Sequence, residues 1–314
     1  MTNLALVGDI GGTNARLGLM ELGTVNVRDV EVLRGDDFDS LEAVISRYLD
    51  KRGITELAAA AIDVAGPVDG DEVRLTNRPW AFTLESLRKA AHAKRFLLLN
   101  DFEALAWSLP HIAKSDLVQL GGDAKDAPLV KVVLGPGTGL GGAVLTPTPR
   151  GGWLPISGEM GHITLPVVTA EELALKDKLK GKDKFAEVED VLTGPGMLAL
   201  YNVIAQTPVA ATPEQVMKSG LAGTDAAAEK TLHHFMIFLM RLAGDMAMAL
   251  QARGGVYLAG GIVPSLVQKL QAPQYRAVFE DKGRLSDAMK HIPLYVITDP
   301  FPAFKGCAAA LNSK

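Results

Sequence analysis

Two glycine-rich connections in this 314-residue chain carry the side chains and spacing that phosphate chemistry needs. The first holds Asp9, Gly11, Gly12, Thr13 and Asn14, and the second holds Gly137, Thr138 and Gly139. Glycine lets backbone N–H groups approach a polyphosphate closely, and an adjacent threonine adds a hydroxyl. Two such turns in one chain suggest a nucleotide gripped from both sides. Asp9 beside the first turn is a carboxylate where phosphates would meet a divalent cation, directly or through water. A third glycine pair, Gly260-Gly261, follows a strand-like run.

Residues 137–142 also satisfy the G-x-G-x-x-G spacing of a dinucleotide fold. That fingerprint must open a helix, however, and here Ala143 to Leu145 continue as strand while Pro147 and Pro149 forbid one. No Walker A pattern occurs.

Asn100 and Asp101 end an apolar run and open a helix-like one. Either can cap that helix, and a carboxylate at a strand end can also take a proton from a hydroxyl nucleophile. Glu159 and His162 lie in a glycine-rich connection and suit a polyol, since a carboxylate accepts two hydroxyl hydrogen bonds and imidazole donates or accepts. Zinc is not expected, because no second His or Cys stands at ligand spacing. Glu187 and Asp190 read as a solvated helix face, and the chemistry of Glu189 alone leaves it unassigned. His92, His111, His233, His234 and His291 read as structural.

The elements that must position these residues alternate strand and helix. Runs at 4–7, 15–20 and 25–33 predict an antiparallel start, followed by a helix over 41–49 capped by Asp39 or Ser40 and a buried strand over 57–64. Asp69-Gly70 is expected to turn the chain into a strand over 72–76, and Thr83 to cap a helix reaching His92. A strand over 95–99 and a helix to Pro110 complete an α/β lobe with a mixed sheet, where ligand-handling residues collect at strand ends. The second lobe repeats strand, glycine turn, strand, which suggests an internal duplication. A helix over 225–253 places Leu232, Phe235, Met236, Leu239, Leu242, Ala243, Met246 and Leu250 on one stripe, its methionines serving as core filler. A late strand over 294–298 and an alanine-rich helix from Phe304 close the chain.

The length calls for two domains, or two lobes facing a cleft. A hydrophobic fraction of 48% and a charged fraction of 22% are ordinary for a globular protein. The net charge of −4 gives no footprint for nucleic acid or an anionic membrane. No apolar stretch is long enough to span a bilayer, and the start of the chain does not read as a signal peptide. Cys307 is the single cysteine, which excludes an internal disulfide and points to a reducing, cytoplasmic setting.

At residues 8–16, 99–102, 135–141, 158–162, 192–196, 259–264 and 279–283 the chain resembles bacterial glucokinases of the hexokinase-like, non-ROK type. The resemblance runs nearly end to end. It implies an α/β, two-lobed actin-like ATPase (ribonuclease H-like) fold, with a small lobe over 1–110 plus 301–314 and a large lobe over 111–300. It implies phosphorylation of glucose by ATP with Mg²⁺ in a homodimer, to which the composition adds a cytoplasmic setting and no nucleic acid or membrane as partner. By the same resemblance Asn100, Asp101, Glu159, His162 and Glu189 contact the sugar, with Asp101 as general base. The phosphate loops fall on Asp9, Gly11, Gly12, Thr13 and Asn14 and on Gly137, Thr138 and Gly139, and the adenosine motif on Gly260 and Gly261. Alternatives at this level are a kinase for mannose, fructose or glucosamine, a non-catalytic sugar sensor, or an actin-like ATPase. The cysteine-rich zinc motif of ROK kinases is absent.

Overall fold

Alternation along Leu4–Ile10 sends Leu6 and Ile10 to one side of a strand and Ala5, Val7 and Asp9 to the other. A computed structural model, which describes residues 3–66, 68, 70, 72–75, 78–124, 127–179 and 185–313, shows both sides covered. The chain divides into two compact units, one formed by Met1–Lys114, Pro147–Ser157 and Asp299–Lys314, the other by Ser115–Thr146 and Gly158–Thr298. The segment Pro147–Ser157 groups with the first unit, whereas the resemblance assigns it to the large lobe.

In the first unit β1 (Leu4–Ile10) is central, flanked by β2 (Asn14–Glu21) and β4 (Leu57–Val64), with β3 (Arg28–Arg34) and β7 (Ala93–Asn100) at the edges. The β1–β2–β3 meander is antiparallel, and β4 and β7 continue parallel to β1. A separate ribbon pairs β5 (Glu72–Arg74) with β6 (Ala81–Thr83). The turn expected at Asp69 and the strand end at Thr76 lie outside the described residues. Helices α1 (Leu41–Asp50) and α2 (Leu84–Ala90) cover the Leu6 face. The Ser40 hydroxyl caps α1, and Thr83 with Ser86 forms a capping box on α2.

The opposite face meets α3 (Asp101–Ser108) and the C-terminal helix Pro302–Ser313. Residues two apart on a strand point the same way, so Asp9 follows Ala5 and Val7 onto this face, and Asp63 follows Ala59 and Ala61. The β1–β4 register pairs Asp9 with Asp63. Asp63 is completely buried; its Oδ2 accepts a hydrogen bond from the Cys307 thiol at 3.4 Å, and Oδ1 has no partner among the described residues. Burial, then the charges of Asp9 and Asp101, push the Asp63 carboxyl well above its ordinary range.

In the second unit β9 (Lys131–Pro136) pairs antiparallel with β10 (Leu140–Pro147) and parallel with β12 (Val256–Leu258). β13 (Leu294–Ile297) runs parallel to β12 and antiparallel to β8 (Leu117–Gly121). The order β10-β9-β12 repeats β2-β1-β4, the pattern that the paired glycine turns suggest. The strand that follows β10 in the chain, β11 (Trp153–Gly158), falls in the first unit except for Gly158. Helices α4 (Ala170–Leu179), α5 (Gly194–Ala205), α6 (Pro213–Ala222), α7 (Ala226–Ala249), α8 (Val263–Leu270), α9 (Pro273–Glu280) and α10 (Ser286–Met289) complete the unit, leaving α11 as the C-terminal helix.

Leu232, Phe235, Met236, Leu239, Leu242 and Ala243 of α7 are buried, while Met246 and Leu250 are partly so. The helix begins one residue after its Asp225 cap and ends at Ala249, four residues short of the sequence expectation, with Gln251 in the left-handed region at φ 52°. Arg241 of α7 holds Glu172 of α4 in a buried, two-pronged ion pair, and Glu172 also accepts the Val168 N–H at 2.7 Å. The lysine-rich stretch beyond α4, residues 180–184, lies outside the described residues.

A Cβ on Gly306 would collide with the backbone carbonyl of Ala104, so α11 packs this closely on α3 only through a glycine. Gly306→Ala should destabilise the protein by about 1–3 kcal/mol, read as a lower urea midpoint; an unchanged midpoint would deny that close packing. Asp63 gives a second test. A carboxyl whose folded pKa is raised adds stability that is full below about pH 4 and shrinks as pH rises. The thermal midpoint of Asp63→Asn should therefore gain on that of the unmodified chain between pH 5 and pH 9, and a constant difference would show an ionised Asp63.

Candidate active site

In the first unit the chain reverses between Ile10 and Ala15, which are ladder partners, and the turn closes through a Gly11 N–H bond to the Asn14 carbonyl at 3.0 Å. Gly12 and Thr13 are exposed at its tip. Asp9 stands at the base of the turn, directly across the ladder from Arg16, whose Nη1 donates to Asp9 Oδ2 at 2.7 Å. Sequence reading misses this partner of Asp9. The Arg16 guanidinium in turn lies 5.8 Å from the Phe301 ring centroid.

Of Asn100 and Asp101, Asn100 is the helix cap. Asn100 Oδ1 caps α3 by accepting the N–H groups of Phe102 at 2.9 Å and Glu103 at 3.3 Å, and its Nδ2 donates to the Gly66 carbonyl. Asp101, the first residue of α3, is half-buried and accepts the Phe102 N–H at 3.0 Å. Burial pushes its carboxyl up to about 6 and the charge of Asp9 adds to this, while the Phe102 N–H works the other way. Asp101 is thus a carboxyl that changes protonation near neutrality.

In the second unit the β9–β10 turn is drawn tight by a Gly137 N–H bond to the Gly139 carbonyl at 2.8 Å, and the Thr138 side chain is exposed at its tip. Glu189 Oε1 accepts the N–H of Leu140 at 2.6 Å, and a Cβ on Gly139 would strike that same oxygen. Glu189 is therefore fixed against the second loop, a role its own sequence neighbourhood does not show. Gly260, at φ 84°, sits where a Cβ would meet the Pro136 carbonyl, so the Gly260-Gly261 turn also closes on this loop.

His162 joins the cluster. Its Nδ1 lies 2.6 Å from Glu187 Oε2 and its Nε2 lies 3.8 Å from Glu189 Oε2. The hydrogen bond to Glu187 raises the His162 pKa, and the charges of Glu189, Glu187 and Glu159 add to it. Glu159 is exposed and its carbonyl accepts the His162 N–H at 3.2 Å, closing the turn that carries the imidazole. The expectation for Glu187 is corrected here, while Asp190 is exposed at the end of a short helix as its reading has it. Glu187 orients His162 instead of lying on a solvated helix face, and Asp190 Oδ2 accepts the Glu187 N–H at 2.8 Å. The isolated bridge between Thr164 and Glu187 brings the two segments together.

Asp9, the first loop, Asn100 and Asp101 thus gather in one unit, and the second loop, Gly260, Glu159, His162 and Glu189 in the other. Among the described residues no group of three or more His, Cys, Asp or Glu could hold a metal ion, and no helix is long and apolar enough to cross a membrane.

Known proteins share both the sequence and the fold. Residues 6–314 match the glucokinase family model. A glucokinase of Chromobacterium violaceum is 39% identical over 312 residues, covering 98% of this chain and 88% of its own length. That of Marinobacter nauticus is 36% identical over 313 residues, covering 98% and 97%. The crystal structure of a glucokinase from an Antarctic psychrotroph superposes with a TM-score of 0.91 at 29% identity and covers all of both chains. A family match over almost the whole chain, joined to glycine loops, a half-buried aspartate and an oriented histidine, means that this chain belongs to the glucokinase family.

Proposed function

We propose that Asp101 is the general base of this chain's reaction, the ATP-dependent phosphorylation of glucose, and that the 6-hydroxyl is the acceptor. The observation that carries the assignment is a half-buried carboxyl raised to about 6 at the end of β7. About one pH unit above that value such a group is largely ionised and still basic enough to take a hydroxyl proton. As the hydroxyl oxygen bonds to the γ-phosphorus, the bond from that phosphorus to the β,γ-bridging oxygen breaks, ADP departs and the proton passes to Asp101.

The other residues align and bind. Asn100 fixes the start of α3 and so the place of Asp101. Glu159, His162 and Glu189 take sugar hydroxyls, with Glu187 holding the imidazole tautomer. Phosphoryl transfer asks mainly for alignment and charge neutralisation, and the N–H groups of the two glycine turns other than those of Gly11 and Gly137, which close the turns, serve both. Gly260 and Gly261 approach the nucleoside.

A divalent cation fits beside Asp9. The negative charge of Asp9 adds to burial in raising both Asp63 and Asp101, so a cation is favoured at this end of the sheet, and Arg16 donates to Asp9 Oδ2. Mg²⁺ binds through one or two carboxylates plus phosphates and keeps several waters, so it needs no dedicated protein cage. Asp9 would hold the ion through water, and the ion would neutralise phosphate charge. The family resemblance supports a cytoplasmic homodimer.

With Mg-ATP, ADP release should depend on glucose in a hexose panel that includes a sugar-free control, and equal release without sugar would sink the kinase reading. In the same assay Asp101→Asn should lower kcat at least about 10²-fold while calorimetry still detects glucose binding; near-normal turnover would remove Asp101 from the base role. The sign of the pH dependence follows from the carboxylate being the active form. Below about pH 6 the base is protonated, so kcat/KM should rise with pH through that region. A profile already flat from pH 5 would contradict the assignment.

A further inference from the structure

The carbonyl of Thr13, in the first glycine turn, accepts two hydrogen bonds. One comes from the Gly35 N–H at 3.0 Å and the other from Arg78 Nη2 at 2.8 Å. Arg78 Nη1 donates to Asp36 Oδ1 at 3.0 Å, and the guanidinium carbon lies 5.0 Å from the Trp80 ring centroid. Only 7% of the Arg78 side chain is exposed, so its charge is poorly screened. Arg78 also lines a small cavity with Ile10, Gly11, Gly12, Ala65 and Leu75.

Gly35 makes this arrangement possible. The Arg78 guanidinium fills the space that a Cβ on residue 35 would occupy, and Gly35 does not have the positive φ that would demand glycine for conformation. Across a trans peptide the carbonyl and the following N–H point in opposite directions. Fastening the Thr13 carbonyl to Gly35 and Arg78 therefore turns the Asn14 N–H to the other side of that peptide. A turn that binds phosphate needs this, since its N–H groups face an anion only when its carbonyls are tied elsewhere.

We propose that Arg78 is a positioning residue for ATP: it clamps the first phosphate loop through the Thr13 carbonyl, in a space kept open by Gly35. This rests on the reading of Gly11–Asn14 as a phosphate loop. Arg78 lies far from that loop in sequence, and its task is to orient backbone donors and to place a fixed positive charge behind them.

The test compares Arg78→Gln, Arg78→Lys and Gly35→Ala by ATP and glucose kinetics, by calorimetric binding of β,γ-imido-ATP, and by thermal midpoint. Loss of a charge-assisted hydrogen bond should raise the ATP KM about 10-fold in Arg78→Gln, with the glucose KM changed less than about 2-fold. Gly35→Ala should reproduce that split with a nearly unchanged midpoint, because its methyl displaces only the end of a flexible side chain. Arg78→Lys should recover the ATP KM in part, since an ammonium can reach Thr13 but lacks the guanidinium's fork. Unchanged ATP kinetics in Arg78→Gln or Gly35→Ala would overturn the proposal, as would ATP and glucose KM rising together with a falling midpoint. Gly12→Val separates the two layers. If it leaves β,γ-imido-ATP binding intact, the loop assignment fails and the role of Arg78 with it. If it abolishes binding while Arg78→Gln leaves the affinity for β,γ-imido-ATP unchanged, only the Arg78 proposal falls.

Discussion

Three carboxyl groups meet at one end of one sheet, and burial, reinforced by their mutual repulsion, governs their protonation. The period of two along β1 and β4, with the ladder between them, places Asp9 beside Asp63, and the end of β7 adds Asp101. Like charges so disposed cannot all ionise at ordinary carboxylate pKa values. The burden is divided by environment. Asp9 is partnered by Arg16, Asp63 is sealed under α11 against a thiol, and Asp101 is left half-buried with a pKa near 6. The same repulsion favours a cation beside Asp9, where a nucleotide's phosphates bring one.

Glycine serves a second constraint, close approach, and does so by different means at different places. At Gly260 the backbone is left-handed and also too near Pro136 for a side chain. At Gly139 and Gly35 the neighbour is a functional side chain, Glu189 or Arg78, which a Cβ would displace. At Gly306 it is the backbone of α3, and the contact is one of packing alone. Substitution at each should fail differently, because a backbone cannot yield where a side chain can.

Much of this was legible in the sequence, because its signals are local. The strand–turn–strand glycine motifs, the Asn100 cap with Asp101 behind it and the apolar stripe of α7 all depend on residues a few positions apart. The features that escaped are joined across long stretches of chain. His162 and Glu187 are 25 residues apart, Arg78 and Thr13 are 65 apart, and Asp63 and Cys307 are 244 apart. Glu187 looked solvated because nothing near it in sequence announces the single bridge that brings it to the imidazole. Asp63 was hidden in an alanine-rich buried run, where an acid signals a special environment only once its neighbours across the sheet are known.

The protonation of Asp101 is the point on which the mechanism turns, and site-resolved carbon NMR of its carboxyl across a pH titration measures it directly. A transition near pH 6, moving downward when Asp9→Asn removes the neighbouring charge, is expected. A transition near pH 4, the ordinary carboxylate range, that does not respond to Asp9 would contradict both the general base and the charge arrangement behind it.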